Sequence, residues 1–119
     1  MLAYKVYKED RMGFESDIVY ACKNKKAIQL FNNVIRKELK DIGGDIVNKE
    51  DFSEEVSGFR EYNSDKELIC RTYPLIIYKD NKNKRIIANI PYWEDTSYEY
   101  NEYEIIANSI VLEEIKLID

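Results

Sequence analysis

The sequence predicts an α+β domain: one amphipathic helix packed on an antiparallel sheet, in the order ββα followed mostly by β. Three observations predict it. An apolar stripe of helical period runs between Asn24 and Ile42, two strand-like segments precede it, and alternating or β-branched segments dominate the rest of the chain. The 119 residues suit a single domain spanning 1–119, and a hydrophobic content of 45% is enough to build a core.

Leu2–Lys8 reads as a strand, with Leu2, Tyr4 and Val6 on one face and Tyr7 on the other. Glu9-Asp10-Arg11-Met12-Gly13 is a turn, and Glu15–Cys22 returns as a second strand. The helix is expected over Asn24–Ile42. Asn24 is placed to cap it, Ile28, Phe31, Ile35, Leu39 and Ile42 form one face, and Ala27, Leu30 and Val34 flank them. Arg36, Lys37 and Lys40 complement the dipole at its end, and Gly43-Gly44 stop it. Asp45–Ser57 is acidic, with room for a helical turn around Glu50–Val56, and Phe59–Tyr62 is placed to begin a strand. Glu67–Lys79 is β-rich, and Pro74, having no amide hydrogen, bends it or puts it at an edge. Asp80-Asn81-Lys82-Asn83 is a turn, Lys84–Ile90 is the partner strand, and Pro91 ends it. Over Ile105–Ile118 helix and strand compete. Alternation from Ser109 to Ile118 favours a strand.

Much of the usual catalytic equipment is missing. There is no histidine, so Ser-His-Asp and Cys-His catalysis and the common zinc hydrolase sites are excluded. The two cysteines, Cys22 and Cys70, are too few for a zinc site and read as small buried hydrophobes. Lys23, Lys25 and Lys26 beside Cys22 would favour a thiolate, but no base accompanies it. No glycine-rich phosphate loop is present. Catalytic residues, metal and cofactor are therefore all expected to be none. No apolar run approaches the roughly 18 residues that span a bilayer, and no signal peptide is evident. A cytoplasmic protein of a bacterial host cell with no membrane partner is expected. Heavy use of Ile, Lys, Asn, Tyr and Glu matches A/T-rich codons, as in an AT-rich bacterial or phage genome.

The net charge of −5 is unevenly spread. Lys23–Lys40 holds six basic residues and one acid, whereas Glu94–Asp119 holds eight acids and one base. Such a C-terminal quarter repels phosphate, so no direct nucleic-acid binding is expected of it. The basic helix reads as a solvated face. The unusual segment is Tyr92–Glu104, YWEDTSYEYNEYE, where tyrosines and a tryptophan alternate with carboxylates. Aromatics supply stiff contact area and carboxylates steer a basic partner, so the expected partner-binding residues are Trp93, Glu94, Asp95, Tyr98, Glu99, Tyr100 and Glu102. Adjacent acids such as Glu94 and Asp95 point opposite ways on an extended chain, which argues against an acid–base pair.

Tyr62-x-Ser64-Asp65, followed after seven residues by Tyr73-Pro74-Leu75-Ile76-Ile77-Tyr78, resembles the central strands of the staphylococcal uracil-DNA glycosylase inhibitors. These are small acidic DNA mimics carried on mobile elements. The resemblance implies a mobile-element inhibitor. That family begins with helices, whereas this chain begins ββα, so no functional residue is carried over. The expected role is a non-enzymatic inhibitor, phage or mobile-element encoded, that blocks a basic nucleic-acid-binding enzyme of host defence or repair. Two alternatives remain open. One is sequestration of a nucleotide signal, with Arg71, Arg85 or the helix lysines on phosphate and tyrosines on the base. The other is an immunity protein against a basic toxin.

Overall fold

The computed structural model describes residues 2–53, 56, 66–95 and 103–118. Its elements are β1 (Leu2–Glu9), β2 (Glu15–Ala21), α1 (Asn24–Ile42), β3 (Lys66–Thr72), β4 (Leu75–Asp80), β5 (Arg85–Asp95) and β6 (Tyr103–Lys116). The strands form one sheet in the order β2-β1-β6-β5-β4-β3, with every neighbouring pair antiparallel. The helix packs across β1, β6, β2 and β5. The predicted α+β class and element order are the ones observed. No helix among the described residues is long and apolar enough to cross a membrane.

Alternation along the central strands gives the sheet two cores. On the helix side, Val6, Ala21, Ala88, Ile90, Ile110 and Leu112 meet Ala27, Phe31 and Ile35 of α1. On the opposite side, Tyr7, Ile76, Tyr78, Ile87 and Val111 form a second cluster, against which Phe52 packs. The helix begins as read, but Lys23 occupies the cap position, and it makes no side-chain capping bond; Asn24 is already helical. The apolar stripe is rotated from the expected one. Ala27, Phe31, Ile35 and Glu38 face the sheet, while Ile28 is 43% exposed. Gly43 stops the helix, its φ of 59° suiting glycine and its N–H donating to the Leu39 carbonyl.

Two strand expectations are corrected. Glu67–Lys79 is two strands, β3 and β4, reversed at Tyr73-Pro74, with Thr72 paired to Leu75. The proline restricts the chain and cannot donate to a ladder, which favours a turn over a bend there. Pro91 does not end β5, which continues to Asp95. Pairing of β5 with β4 stops at Asn89; beyond it Pro91 pairs with Ala107 of β6, and on its other flank only its carbonyl is engaged, by the Val47 N–H, so no donor is required of it. A proline is tolerated where its strand is an edge. The helical turn is a short 3-10 segment at Lys49–Asp51, its start held by Asn48 accepting from the Asp51 N–H. Phe59–Tyr62 lies outside the described residues. β6 settles the ambiguity over Ile105–Ile118 as strand, running from Tyr103 to Lys116.

Polar groups are set into the second face. The Tyr7 hydroxyl donates to Glu113 Oε2 at 3.2 Å, and Arg85 Nη2 lies 2.8 Å from Asp80 Oδ2. Burial works to raise the Asp80 carboxyl, but hydrogen bonds from Arg85 and Asn83 outweigh it and leave the group below its usual value. Burial first, and the Glu113 charge next, push the Tyr7 phenol up to about 12. A raised phenol stabilises the fold fully below its unfolded value of 10, and that contribution falls as pH rises to about 12. Two units correspond to roughly 2–3 kcal/mol. Urea denaturation between pH 9 and pH 12 is expected to show this loss, and Tyr7→Phe is expected to make it shallower. Tyr78 and Tyr92, whose phenols burial also raises, leave a residual slope.

Candidate functional site

β5 and β6 are longer than the strands beside them, and their excess builds the site. β4 follows β5 only from Arg85 to Asn89, and β1 follows β6 only from Ser109 to Lys116. Past those points β5 and β6 pair with each other as a two-stranded ribbon, in register to Glu94 opposite Glu104 and Asp95 opposite Tyr103. One flank of the ribbon is closed by the chain after α1. Ile46 bridges to Tyr92, and the fully buried Val47 donates its N–H to the Pro91 carbonyl at 3.3 Å. Of the sequence-predicted site, Trp93, Glu94 and Asp95 lie on this ribbon. Tyr98, Glu99, Tyr100 and Glu102 belong to the connection 96–102 and lie outside the described residues.

Between the ribbon and the C-terminal end of α1 lies a cleft of about 590 Å³. Its walls bring Tyr92, Trp93, Glu94 and Tyr103 from the ribbon to Asp41, Ile42 and Asp45 from the helix end. Its floor is a polar network that sequence reading missed. Glu38, 3% exposed, accepts from Asn108 Nδ2 at 2.8 Å and pairs with Lys8 Nζ at 2.9 Å. The Tyr92 hydroxyl points toward Asn108 Oδ1 at 3.5 Å, a weak contact. Burial alone would lower the Lys8 ammonium, but the hydrogen bond and charge of Glu38 outweigh it and hold it above the usual lysine value. The Tyr92 phenol is raised by burial first and by the Glu94 charge second.

The cleft is electronegative. Four carboxylates (Glu38, Asp41, Asp45 and Glu94) line it against the single ammonium of Lys8. At the rim Arg11 reaches Glu94 at 3.3 Å, an exposed pair of modest worth. Asp41 and Asp45 have no ion-pair partner among the described residues. The negative end of the α1 dipole adds to them. Glu38 left a signal in the sequence: three residues past Ile35 and seven past Phe31, it falls on the buried stripe, where an acid requires a partner. Lys8 and Asn108 left none, because strand alternation alone does not say that a polar residue turns inward.

A second, smaller cleft of about 400 Å³ lies near the start of α1, lined by Tyr4, Asn24, Lys79, Asn81, Lys84 and Glu114 among others. Arg71 stands over the Phe52 ring at 5.8 Å, and Arg85 is held by Asp80. Of the residues named for a nucleotide, Arg85 lines this cleft, whereas Arg71 and the helix lysines do not. The cysteines are not buried as expected. Cys22 is exposed, and Cys70 is half-buried with its Sγ 2.9 Å from Thr72 Oγ1. Of the residues behind the resemblance, Tyr73-Pro74 form the β3–β4 turn, Leu75–Tyr78 lie in β4, and Tyr62, Ser64 and Asp65 lie outside the described residues.

Comparison with protein-family models, with curated proteins and with solved structures finds no match to this chain.

Removing one member of the cleft floor leaves the others stranded. Glu38→Ala is expected to cost about 2–3 kcal/mol, because the buried Asn108 loses its acceptor and the partly buried Lys8 its counter-charge. Lys8→Met combined with Glu38→Leu is expected to be more stable than Glu38→Ala alone, since it refills the space and leaves no unpaired ammonium, with only Asn108 losing its acceptor. Urea melts of the wild type and the two variants measure both effects.

Proposed function

We propose that this chain is a non-enzymatic inhibitor that binds a basic, nucleic-acid-binding protein through the acidic aromatic end of its β5–β6 ribbon. One observation supports the reading above others. The ribbon outruns both neighbouring strands and carries Trp93 and Glu94 to the wall of an electronegative cleft. A two-stranded ribbon that extends past the strands beside it offers an edge suited to a groove that normally holds a nucleic-acid backbone. Trp93 and Tyr103 supply stiff apolar contact, and such residues are enriched where interface energy concentrates. Glu94, Asp95, Asp41 and Asp45 supply negative charge of the kind that phosphates present, which speeds encounter and rejects acidic surfaces. The target class follows from that charge: an enzyme of host defence or repair whose basic groove the ribbon blocks. An amino-acid composition rich in residues with A/T-rich codons and the resemblance to mobile-element inhibitors accord with a phage or mobile-element origin.

A tagged form of this chain is expected to capture a nucleic-acid-binding protein from a bacterial lysate in a complex that weakens steeply as salt is raised. Reversing Glu94, Asp95, Glu99 and Glu102 to lysine is expected to abolish capture while circular dichroism stays native. Capture that survives the quadruple reversal unchanged overturns the reading.

The second cleft favours one other reading, a nucleotide-sequestering protein with Lys79 and Lys84 on phosphate and Tyr4 beside the base. Thermal-shift screening against nucleotides separates the two, because a bound ligand raises the melting temperature by mass action.

A further inference from the structure

β2 is an edge strand with a surface that edges ordinarily avoid. Among the described residues its outer side has no neighbouring strand. Six of its seven residues are exposed, and Ile18, Val19 and Tyr20 form a consecutive apolar run, with Tyr20 62% exposed. Edges are usually blunted by charge, proline or a covering segment, since unpaired N–H and C=O groups recruit another strand. Here a bulge opposite Tyr7, with Asp17 at a φ of 53°, interrupts only the first half. Val19, Tyr20 and Ala21 stay in regular register with Val6, Lys5 and Tyr4. The regular half is thus the apolar half.

We propose that β2 pairs antiparallel with β2 of a second copy of this chain, joining two sheets across a two-fold axis. The charge pattern selects that occupant. Glu15 and Asp17 stand at the start of β2, and Lys23 and Lys25 follow its end. An antiparallel two-fold sets the acidic end of each strand against the basic end of the other, whereas a parallel pairing stacks like charges. Both acids already have an intrachain partner, Glu15 using Oε1 for Lys5 and Asp17 using Oδ1 for Lys37, so each keeps a second oxygen. Lys23 and Lys25 have no ion-pair partner among the described residues. The same axis packs Ile18, Val19 and Tyr20 against their own copies, and β-branched with aromatic cross-strand pairs are favourable. A two-fold contact also closes on itself, whereas β2 pairing with the opposite edge, β3, propagates an open filament.

Light scattering coupled to size exclusion is expected to give twice the 14.2 kDa of one chain. Val19→Lys and Tyr20→Lys are each expected to weaken self-association roughly tenfold or more, with native circular dichroism. Lys23→Glu with Lys25→Glu is expected to weaken it as well. These two acids at the start of α1 favour the helix, so lost association in that variant is not lost folding. A chain that remains a monomer to millimolar concentration overturns the proposal, as does a dimer that is indifferent to both sets of substitutions.

Discussion

β6 is the constraint on which the other parts depend. It lies between β1 and β5, so within the sheet it is the strand that joins the β1–β2 hairpin to the hairpins formed by β3, β4 and β5. Its residues serve both faces in turn: Ile110 and Leu112 enter the core under the helix, and Val111 enters the core on the other side. A slip of one residue would exchange those sets and put Ser109 and Glu113 under the helix, so two-sided burial fixes the register. The pairing of β1 with β6 brings the two ends of the sequence together, and contacts of that range make assembly slow compared with local helix formation. The length of β6 also creates the candidate site. Its 14 residues exceed the eight of β1, and the surplus, together with that of β5, has nowhere to go but into the ribbon.

The charges are ordered along the same frame. α1 starts beside the cleft with Lys79 and Lys84 and ends beside the cleft with Asp41 and Asp45. Its dipole, positive at the start and negative at the end, has the same sense as the side chains lining the two clefts, whereas Lys40 in the last turn opposes it. The two clefts therefore differ in charge, which a net charge of −5 conceals.

The class, the element order and most element limits were legible because they rest on periodicity. Asn24–Ile42 has steps of three and four, and Leu2–Lys8 alternates; each pattern reports the type of element directly and its buried face only approximately. Sequence reading failed where the information is carried by partners distant in sequence. Pro91 reads as a stop only if β5 is assumed to have neighbours on both sides, and β4 has already turned away there. Tyr73-Pro74 reads as a bend within one strand until Thr72 is seen to face Leu75. Ile28 fits the helical stripe as well as Ala27 does, and only the position of the sheet decides which is buried. The site was legible in part: Trp93 and Glu94 stand at the cleft because composition marked their segment. Asp41 and Asp45 carry no mark of the site in the sequence, since it is the ribbon beside the end of α1 that makes them walls.

The cleft divides its polar groups in a way that bears on what it is suited to do. Glu38, the most buried carboxylate in it, has both oxygens occupied, one by Asn108 and one by Lys8. A general base needs a free oxygen within reach of a substrate proton, so the floor serves as support for the ribbon's packing on α1. The groups with unspent capacity are at the rim: Asp41 and Asp45, and the half-buried Trp93 and exposed Tyr103. Acids that keep their hydration until a partner arrives lose little before binding, and they attract a basic surface from a distance set by ionic strength. Aromatics already half-packed lose less rotamer freedom on contact than free side chains would. A fixed, neutralised floor beneath a charged rim suits the proposed recognition of a macromolecular surface better than turnover of a small molecule.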